Sequence, residues 1–375
     1  MKMVKLPEVC EILDSKRVPV TKSNRIPGPY PYYGANGIQD WVSDYLFDDE
    51  LVLLAEDGGN FDSDKPIAYR VSGKCWVNNH AHILKAKSNI LIDYLYLSLR
   101  NYDTTSLTNG ATRKKLTQKA MKEMLIPLRK IEDQAEIVGL FSCIEECLGI
   151  YREVSLSLDI LVKSRFVEMF GDPIENPKKW EIKQLEDVYE IIDGDRGKNY
   201  PKSSEFSETG FCLFLNAGNV TKQGFDFSST QFITKEKDSL LRKGKLKRHD
   251  LVVTTRGTVG NIAYYDDYVP YENMRINSGM VILRAKKEIA KEYFVSFFRN
   301  PAIYNSLISG TAQPQMPIRS MKNTKMMLPP LFLQQEFAAF VHQVDKLKFE
   351  TQQSIEKLQM LYDSLAQEYF APEGD

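Results

Sequence analysis

The chain repeats itself over most of its 375 residues, and a duplication of this size limits the possible folds more than any single motif does. The segment VNNHAHILKAK, which begins at Val77, matches INSGMVILRAK, which begins at Ile276, at an offset of 199 residues. The pair that begins at Leu51 matches the pair that begins at Leu251 at an offset of 200. Because the offset hardly changes between separate blocks, the sequence predicts two copies of one folding unit rather than a chance similarity of amphipathic segments.

Each copy has the same internal order of elements. A strand-rich region with β-branched and aromatic runs comes first, at 51–54 in one copy and at 251–255 in the other. A short helical pattern follows, and each copy ends at a proline, Pro127 or Pro329, after which the hydrophobic period becomes that of a long helix. This order predicts an α+β protein with two similar mixed α/β domains.

The two long helical segments carry a heptad pattern in one common phase. Apolar residues recur in steps of four and three, and eight of the ten core positions in each segment are apolar. The core positions are Ile137, Phe141, Ile144, Leu148, Tyr151, Ser155, Leu158, Val162, Arg165 and Met169 in the first segment. In the second they are Phe337, Val341, Val344, Lys348, Thr351, Ile355, Leu358, Tyr362, Leu365 and Tyr369. We expect an antiparallel coiled coil within one chain, with intermolecular pairing into a dimer as the alternative.

These patterns together predict a pseudo-two-fold symmetric molecule in four segments. A first globular domain covers 1–130, a central long helix 131–170, a second globular domain 171–330 and a C-terminal long helix 331–371. Two helices of about 35 residues make a rod of ~50 Å. Two reading units on one face of B-DNA need centres ~34 Å apart, or a multiple of that distance, so the geometry suits a bipartite target.

Composition and motifs exclude several classes of protein. Lys and Arg number 49 against 50 Asp and Glu, so any site for a polyanion must be local. We find no apolar run of ~18 residues and no signal-peptide pattern, and we therefore expect a cytoplasmic protein without a membrane partner. There is no phosphate loop, nucleophile elbow or His-Glu-x-x-His pair, so we predict no catalytic residues, no metal site and no cofactor in this chain.

Local charge and polar loops favour DNA as the partner. The stretch 113–130 has seven basic residues and one acid, and the stretch 235–248 has seven and two. Loops rich in tyrosine, amide and hydroxyl groups can place donors and acceptors against base edges while lysines hold phosphates. The predicted DNA-binding residues are Tyr30, Tyr32, Tyr33, Asn36, Asn78, Asn79, His80, Arg113, Lys114, Lys115, Thr255, Arg256, Thr258, Asn261, Arg275, Asn277, Gln313, Gln315 and Arg319.

Together with the duplication and the two long helices, four sequence motifs make the chain similar to the specificity subunit of type I restriction-modification systems. They are LVKSRFVEMFGDPIENPKKW, TTRGTVGN, SGTAQPQMPI and LPPLFLQQEF. The resemblance covers nearly the whole length. It departs from the family's pattern at the end of the first copy, where a single Pro127 precedes Glu132-Asp133-Gln134 and the family often has two prolines before Glu-Gln.

The resemblance implies a non-catalytic reader of DNA sequence. By this resemblance the globular domains at 1–130 and 171–330 are target recognition domains, and each would read one half of a split, asymmetric duplex sequence. The helices would set the spacing and dock two methyltransferase (modification) subunits. S-adenosylmethionine would bind those subunits, and ATP with Mg²⁺ would bind restriction (translocase and endonuclease) subunits. Two alternatives are a stand-alone DNA methyltransferase or nuclease with an unrecognised active site, and a coiled-coil adaptor without a DNA role.

Overall fold

The computed structural model describes residues 2–61, 63, 65–110, 114–310 and 313–371. The chain forms two compact units. Unit 1 comprises Met1–Val154 and Thr351–Asp375, and unit 2 comprises Ser155–Glu350. Each unit therefore contains one globular copy and a part of each long helix.

In its described residues, unit 1 has a six-stranded sheet, two small two-stranded sheets, four α-helices that begin in it and the end of a fifth that begins in unit 2. Its strands are β1 (Lys2–Lys5), β2 (Cys10–Ile12), β3 (Pro27–Gly34), β4 (Gly37–Val42), β5 (Phe47–Ala55), β6 (Ala68–Val77), β7 (Ala81–Ala86), β8 (Thr108–Asn109), β9 (Lys115–Leu116) and β10 (Leu125–Leu128). Its helices are α1 (Leu6–Val9), α2 (Ile92–Arg100), α3 (Gln118–Lys122) and α4 (Ile131–Phe170), of which α4 continues into unit 2.

The main sheet of unit 1 has the order β2-β7-β5-β6-β3-β4, and β3 pairs with β6 in the parallel direction. The central strand β5 carries five fully buried residues in a row, 51–55, because both faces of the sheet are covered. The two faces pack separate apolar clusters, one of which also contains α2 and the start of α4. The strand ends are thereby held in place by buried residues on both sides.

Unit 2 has smaller sheets and more helices. Its strands are β11 (Glu181–Gln184), β12 (Tyr189–Asp193), β13 (Cys212–Leu215), β14 (Val220–Thr221), β15 (Gly224–Phe225), β16 (Phe232–Ile233), β17 (Leu251–Thr254), β18 (Ile262–Tyr264), β19 (Met274–Ile276), β20 (Met280–Ala285) and β21 (Lys325–Leu328). Its helices are α5 (Leu185–Val188), α6 (Lys235–Leu240), α7 (Lys291–Phe298), α8 (Pro301–Leu307), α9 (Ile318–Lys322) and α10 (Leu331–Phe370), of which α10 continues into unit 1.

The two units repeat the same local structure. In unit 1 the strands β2, β7 and β5 are hydrogen-bonded neighbours, and in unit 2 the strands β12, β20 and β17 have the same order and antiparallel directions. Helix α1 begins where Glu8 accepts a hydrogen bond from the backbone of Lys5 at 2.9 Å, and α5 begins where Asp187 accepts one from the backbone of Gln184 at 3.3 Å. The predicted duplication is therefore a duplication of the fold.

In unit 1 the first half of α4 packs antiparallel against the last half of α10. The ring centroids of Phe141 and Tyr362 are 4.8 Å apart, and the Arg129 guanidinium, just before α4, lies 5.4 Å from the Tyr369 ring. As the residue number rises along α4, the contacts fall along α10, which defines the antiparallel direction. Phe141 is also buried among the core residues of this unit, so the helices share that core.

In unit 2 the second half of α4 packs antiparallel against the first half of α10. Lys348 donates to Asp159 at 2.6 Å, and Phe170 packs against Phe337 with ring centroids 5.5 Å apart. All twenty heptad core positions predicted from the sequence are buried or half-buried. The predicted fold class, with two similar mixed domains and an antiparallel coiled coil of two long helices, is confirmed. Among the described residues, no helix is long and apolar enough to cross a membrane.

Candidate nucleic-acid interface

In unit 1 three chain segments meet where β5 ends, β7 begins and β9 passes. The backbone N–H of Glu56 donates to the carbonyl of His80 at 2.8 Å, and the N–H of Leu116 donates to the carbonyl of Glu56 at 2.7 Å. Asp57 and Lys115 form an isolated β-bridge. The side-chain oxygen of Asn78 accepts from the backbone N–H of His80 at 2.7 Å and fixes the turn into β7.

Unit 2 has the same framework where β17 ends and β20 begins. The N–H of Thr255 donates to the carbonyl of Gly279 at 2.7 Å, and the N–H of Met316 donates to the carbonyl of Thr255 at 3.0 Å. Arg256 and Gln315 form an isolated β-bridge. The side chain of Asn277 accepts from the N–H of Gly279 at 2.8 Å, as Asn78 does from His80 in unit 1.

We call this place the junction of each unit. It comprises 55–57, 78–80 and 115–116 in unit 1, and 254–256, 277–279 and 315–316 in unit 2. The backbone hydrogen bonds described above correspond between the two junctions, and unit 2 adds one from the N–H of Arg256 to the carbonyl of Gly279 at 3.2 Å, but the side chains differ. Where unit 1 has Asp57, unit 2 has Arg256, and where unit 1 has Lys115, unit 2 has Gln315. One scaffold thus presents two different sets of charges and hydrogen-bonding groups.

The junction of unit 1 opens into a polar cleft of about 470 Å³ lined by the turn of β3 and β4. Asn36 donates to the carbonyl of Gly58 at 2.9 Å, and Asn78 donates to Gln39 at 3.0 Å. Asn79 lies at the mouth of the cleft and is exposed. The amides that already have partners shape the cleft, whereas the Asn79 amide is available to a ligand.

The three tyrosines predicted to contact DNA have different surroundings. Tyr32 is 1% exposed, and its hydroxyl bonds to the backbone of Val20 beneath the guanidinium of Arg25. Tyr33 is half-buried, and this burial raises the pKa of its hydroxyl. Tyr30 is half-buried and packs against Tyr45, with ring centroids 5.1 Å apart. Tyr32 therefore supports the cleft from inside, and the structure does not place it at the surface.

Beneath the junction of unit 1 lies a buried charge network. Asp14 accepts from the ring of His82 at 2.6 Å and from the backbone N–H of Ile83 at 2.9 Å. Burial works against a charged carboxylate here, but these hydrogen bonds and one from Gln118 outweigh it and hold the pKa of Asp14 below its usual range. The other ring nitrogen of His82 lies 2.8 Å from the carbonyl of Leu116 in β9. The network ties the basic strand β9 to the main sheet.

Asp14, Glu56 and His82 have the donor atoms of a metal site, within 4.8 Å of one another. Their bonding capacity is already used by the protein, however. The carboxylate of Glu56 forms ion pairs with Arg17 at 2.5 Å and with Lys115 at 3.1 Å, and each ring nitrogen of His82 already has a hydrogen-bond partner. Two cations and a saturated imidazole leave no place for a metal ion, so this cluster does not fit one.

The basic loop of unit 1 stands beside this network. Lys115 is half-exposed and bonds Glu56, and Lys114 is half-buried. Arg113, which was also predicted to bind DNA, lies outside the described residues. His80 is half-exposed at the junction, where its Nδ1 bonds the carboxylate of Asp57. This hydrogen bond fixes the ring and leaves Nε2 as the group that can meet a ligand.

In unit 2 the loop after β17 projects Arg256 and Thr258 into solvent. Gly257 and Gly260 have φ angles of +75° and +84°, which a side-chain-bearing residue rarely adopts, and they allow the tight turn. Asn261 donates to the carbonyl of Val220 at 2.9 Å and so anchors the loop. Arg256 has no ion-pair partner within the described part of the chain, so its guanidinium is free for a ligand.

The remaining predicted residues of unit 2 fall into two groups. Gln313 and Arg319 are exposed and Gln315 is half-buried, and they lie on the segment that crosses the junction and enters α9. Arg275, in contrast, is 5% exposed, and Thr255 is also buried, with its hydroxyl donating to Gly279 at 2.9 Å. The side chains of Arg275 and Thr255 hold the fold together rather than facing a partner.

Several residues of the junctions and of the cleft beside one of them were not predicted from the sequence. Gln39 faces the cleft of unit 1, Asp57 orients His80, and Ser278 lies in the turn of unit 2 next to Asn277. The alignment of the two copies could have indicated Asp57, because Asp57 corresponds to the predicted site residue Arg256 at the offset of 199 that aligns Val77 with Ile276.

The chain is similar to one family over most of its length. The family model described as the type I restriction modification DNA specificity domain matches residues 1–155 and 177–360. A chain of Haemophilus influenzae assigned as a type I restriction enzyme specificity subunit is 27% identical over 92% of this chain and 86% of its own length. The type I restriction enzyme MjaVIII specificity subunit of Methanocaldococcus jannaschii is 22% identical over 95% of this chain and 89% of its own length.

Two solved structures share the fold. A chain from a structure of the type I R-M system, solved to explain its assembly and conformational transition, has a TM-score of 0.65 and 17% identity, over 98% of this chain and 97% of that one. The type I restriction-modification S subunit from M. genitalium has a TM-score of 0.57 and 14% identity, over 100% and 96%. The duplicated domains, the paired helices and the family match agree: the chain belongs to the type I restriction-modification DNA specificity subunits, the non-catalytic DNA-recognition components of these systems.

Proposed function

We propose that each junction reads one half of a bipartite, asymmetric DNA target. The observation that carries this proposal is the matched backbone framework of the two junctions with different outward side chains. A reader of two unlike half-sites needs the same presentation of its side chains to the duplex and a different chemistry at each end. The pairs Asp57 and Arg256, and Lys115 and Gln315, have this relation.

Base-edge chemistry suggests a role for individual side chains. An exposed guanidinium pairs most favourably with the O6 and N7 of guanine, and an amide with the N6 and N7 of adenine. Arg256 meets the first requirement in unit 2, and Asn79 meets the second in unit 1. Arg319, in the first turn of α9, and Lys114, just before β9, are suited to phosphates. Each good base contact contributes ~1–3 kcal/mol of discrimination.

The long helices are proposed to set the spacing between the half-sites and to dock two methyltransferase subunits. Unlike the buried heptad positions, several large apolar side chains of these helices face solvent. Leu156 is 65% exposed and Ile160 is 62% exposed on α4, and Phe349 is 63% exposed on α10. Exposed apolar side chains at helical spacing favour burial against another protein.

The catalytic chemistry is assigned to partner subunits. S-adenosylmethionine would bind the methyltransferase subunits, and ATP with Mg²⁺ would bind restriction subunits. The cytoplasm, where these cofactors and DNA are available together, is the proposed location.

The test begins with the chain assembled with its methyltransferase subunits. Methylome sequencing of a host that carries them gives the target, and a duplex with that target is then compared with duplexes in which one half-site is scrambled. We expect that scrambling either half abolishes specific binding, and that one base pair inserted in the spacer does the same. Methyl transfer from labelled S-adenosylmethionine by the isolated chain would instead support a stand-alone methyltransferase, and no affinity for any duplex would support an adaptor without a DNA role.

A further inference from the structure

An additional edge strand in unit 2 carries a row of lysines. The segment 243–247 pairs with β19, because the N–H of Ile276 donates to the carbonyl of Gly244 at 2.9 Å and the N–H of Leu246 donates to the carbonyl of Met274 at 3.0 Å. Gly244 and Leu246 are buried, whereas the lysines at 243, 245 and 247 are exposed. In an extended strand, residues two apart lie on one side at ~6.8 Å spacing. We call this segment the lysine edge.

Buried ionic groups hold the backbone of the lysine edge in place. The guanidinium of Arg275 donates to the carbonyl of Lys243 at 2.7 Å and pairs with the carboxylate of Asp238. Burial opposes the charge on Asp238, but hydrogen bonds from Lys245 and Arg275 outweigh it, so its pKa lies below the usual range. Arg284 donates to the carbonyl of Lys245 at 3.2 Å. The edge is thus ordered before any partner binds, which lowers the entropic cost of binding.

The lysine edge forms one wall of a groove of about 810 Å³. Two acidic side chains, Glu190 and Asp193, and six cationic side chains line this groove. The cationic ones are Arg242, Lys243, Lys245, Lys247, Arg284 and Lys322. Lys245 is paired with Asp238 at 2.6 Å, but Lys243 and Lys247 have no ion-pair partner among the residues that the structure describes. The surplus positive charge is therefore local and solvent-accessible.

Close contacts join the lysine edge to the junction of unit 2. A Cβ built on Gly244 would lie 3.3 Å from the Cα of Gly194 and 3.3 Å from the carbonyl of Ile276, the residue before the junction turn. Arg196, two residues after Gly194, donates to the carbonyl of Ser278 in that turn at 3.2 Å. A duplex whose bases reach the junction would therefore pass close to the lysine edge.

The corresponding segment of unit 1 shows that the fold does not need these lysines. There the N–H of Leu46 donates to the carbonyl of Cys75 at 3.0 Å, as Leu246 does to Met274 in unit 2. The residues around Leu46 are Ser43-Asp44-Tyr45 and Phe47-Asp48-Asp49, which contain three acids and no lysine. At the offset of 200 that aligns Leu46 with Leu246, the three lysines correspond to Ser43, Tyr45 and Phe47. The same backbone positions carry no cation in unit 1, so the lysines reflect a partner of unit 2.

We propose that the lysine edge binds the phosphate backbone of the DNA that flanks the half-site read by unit 2. This inference rests on the proposed function and adds the position of the backbone to it. An ammonium group is a point charge that neutralises a phosphate and releases its counterion, whatever the sequence. Lys243 and Lys247 therefore contribute affinity without base preference, while the junction supplies the preference.

The test uses the full chain with its methyltransferase subunits and compares Lys243→Gln/Lys247→Gln with a control, Lys287→Gln/Lys325→Gln. Both control lysines are exposed. Lys287 follows β20, at the end of that strand away from the junction, and Lys325 is the first residue of β21. Affinity for the target duplex and for a scrambled duplex is measured between 50 and 200 mM salt. Glutamine keeps most of the side chain, and unchanged melting temperatures establish that the variants fold.

Loss of two phosphate contacts lowers the slope of log K against log salt by about 1.8, so the wild type loses about 12-fold more affinity over this salt range than the variant does. We expect this change on both duplexes, an unchanged methylation motif and a wild-type slope for the control. If the wild type binds specifically but Lys243→Gln/Lys247→Gln has the same slope as the wild type, this inference is overturned and the proposed function is not. Absence of specific binding by the wild type would instead overturn the proposed function.

Discussion

Phe337 provides a quantitative test of how the long helices join the globular part of unit 2. Its side chain is fully buried, and it packs edge-on against Phe166 and Phe170, with ring centroids 5.7 and 5.5 Å away. Truncation of a buried Phe to Ala costs ~3–5 kcal/mol, and each aromatic pair adds ~0.5–1.5 kcal/mol to area burial, so we expect Phe337→Ala to destabilise unit 2 by ~4–5 kcal/mol.

For a unit of this size, 1 kcal/mol lowers the melting temperature by ~2–4 °C, so the expected decrease is ~8–20 °C. Differential scanning calorimetry of the full chain measures it. Phe349→Ala is the matched control, because Phe349 lies on the same helix but is 63% exposed, and we expect a change of ~1–2 °C. The reasoning is refuted if Phe337→Ala melts within ~3 °C of the wild type, or if both variants lose the same amount.

Three further variants test the site and its supports. Asp14→Asn removes a carboxylate whose pKa is lowered in the folded state, so the stabilisation it provides is present above ~pH 4 and is lost as pH falls through the folded pKa. Thermal melts of this variant should show ~1–3 kcal/mol less stability at pH 7 and a smaller loss of stability in acid. An acid dependence equal to that of the wild type would contradict this. Arg275→Met removes the buried ion-pair partner of Asp238 and leaves it only the exposed Lys245, so it should cost ~3–5 kcal/mol in calorimetry. Arg256→Ala, at an exposed position, should stay within ~0.5 kcal/mol. Equal losses would mean that burial does not separate these arginines.

The large-scale architecture could be predicted from the sequence because it depends on periodic and repeated features. The heptad phase of α4 and α10 indicated the buried seam, and the constant offset between copies indicated the duplication. Both signals are averages over many residues, so one unusual residue such as Arg165 or Lys348 in the seam does not hide them.

The site could be predicted only in part, because exposure is decided by tertiary contacts. Residue type and loop position indicated Arg256 and Asn79, which are exposed. The same criteria also indicated Arg275 and Tyr32, which are buried, and nothing local distinguishes an arginine that pairs with Asp238 from one that faces solvent. The alternation of lysines with Gly244 and Leu246 did contain the signal for an edge strand, since a period of two is typical of extended chain.

The claim that each unit reads one half of the target is tested most directly by methylome sequencing of two variants beside the wild type. Asn79→Ala changes the junction of unit 1 and Arg256→Ala changes that of unit 2, and both side chains are exposed, so both variants should fold. We expect each variant to relax the methylation motif in one half only, and the two variants to relax opposite halves. Relaxation of the same half by both variants, or a motif that is unchanged in both, would contradict the account.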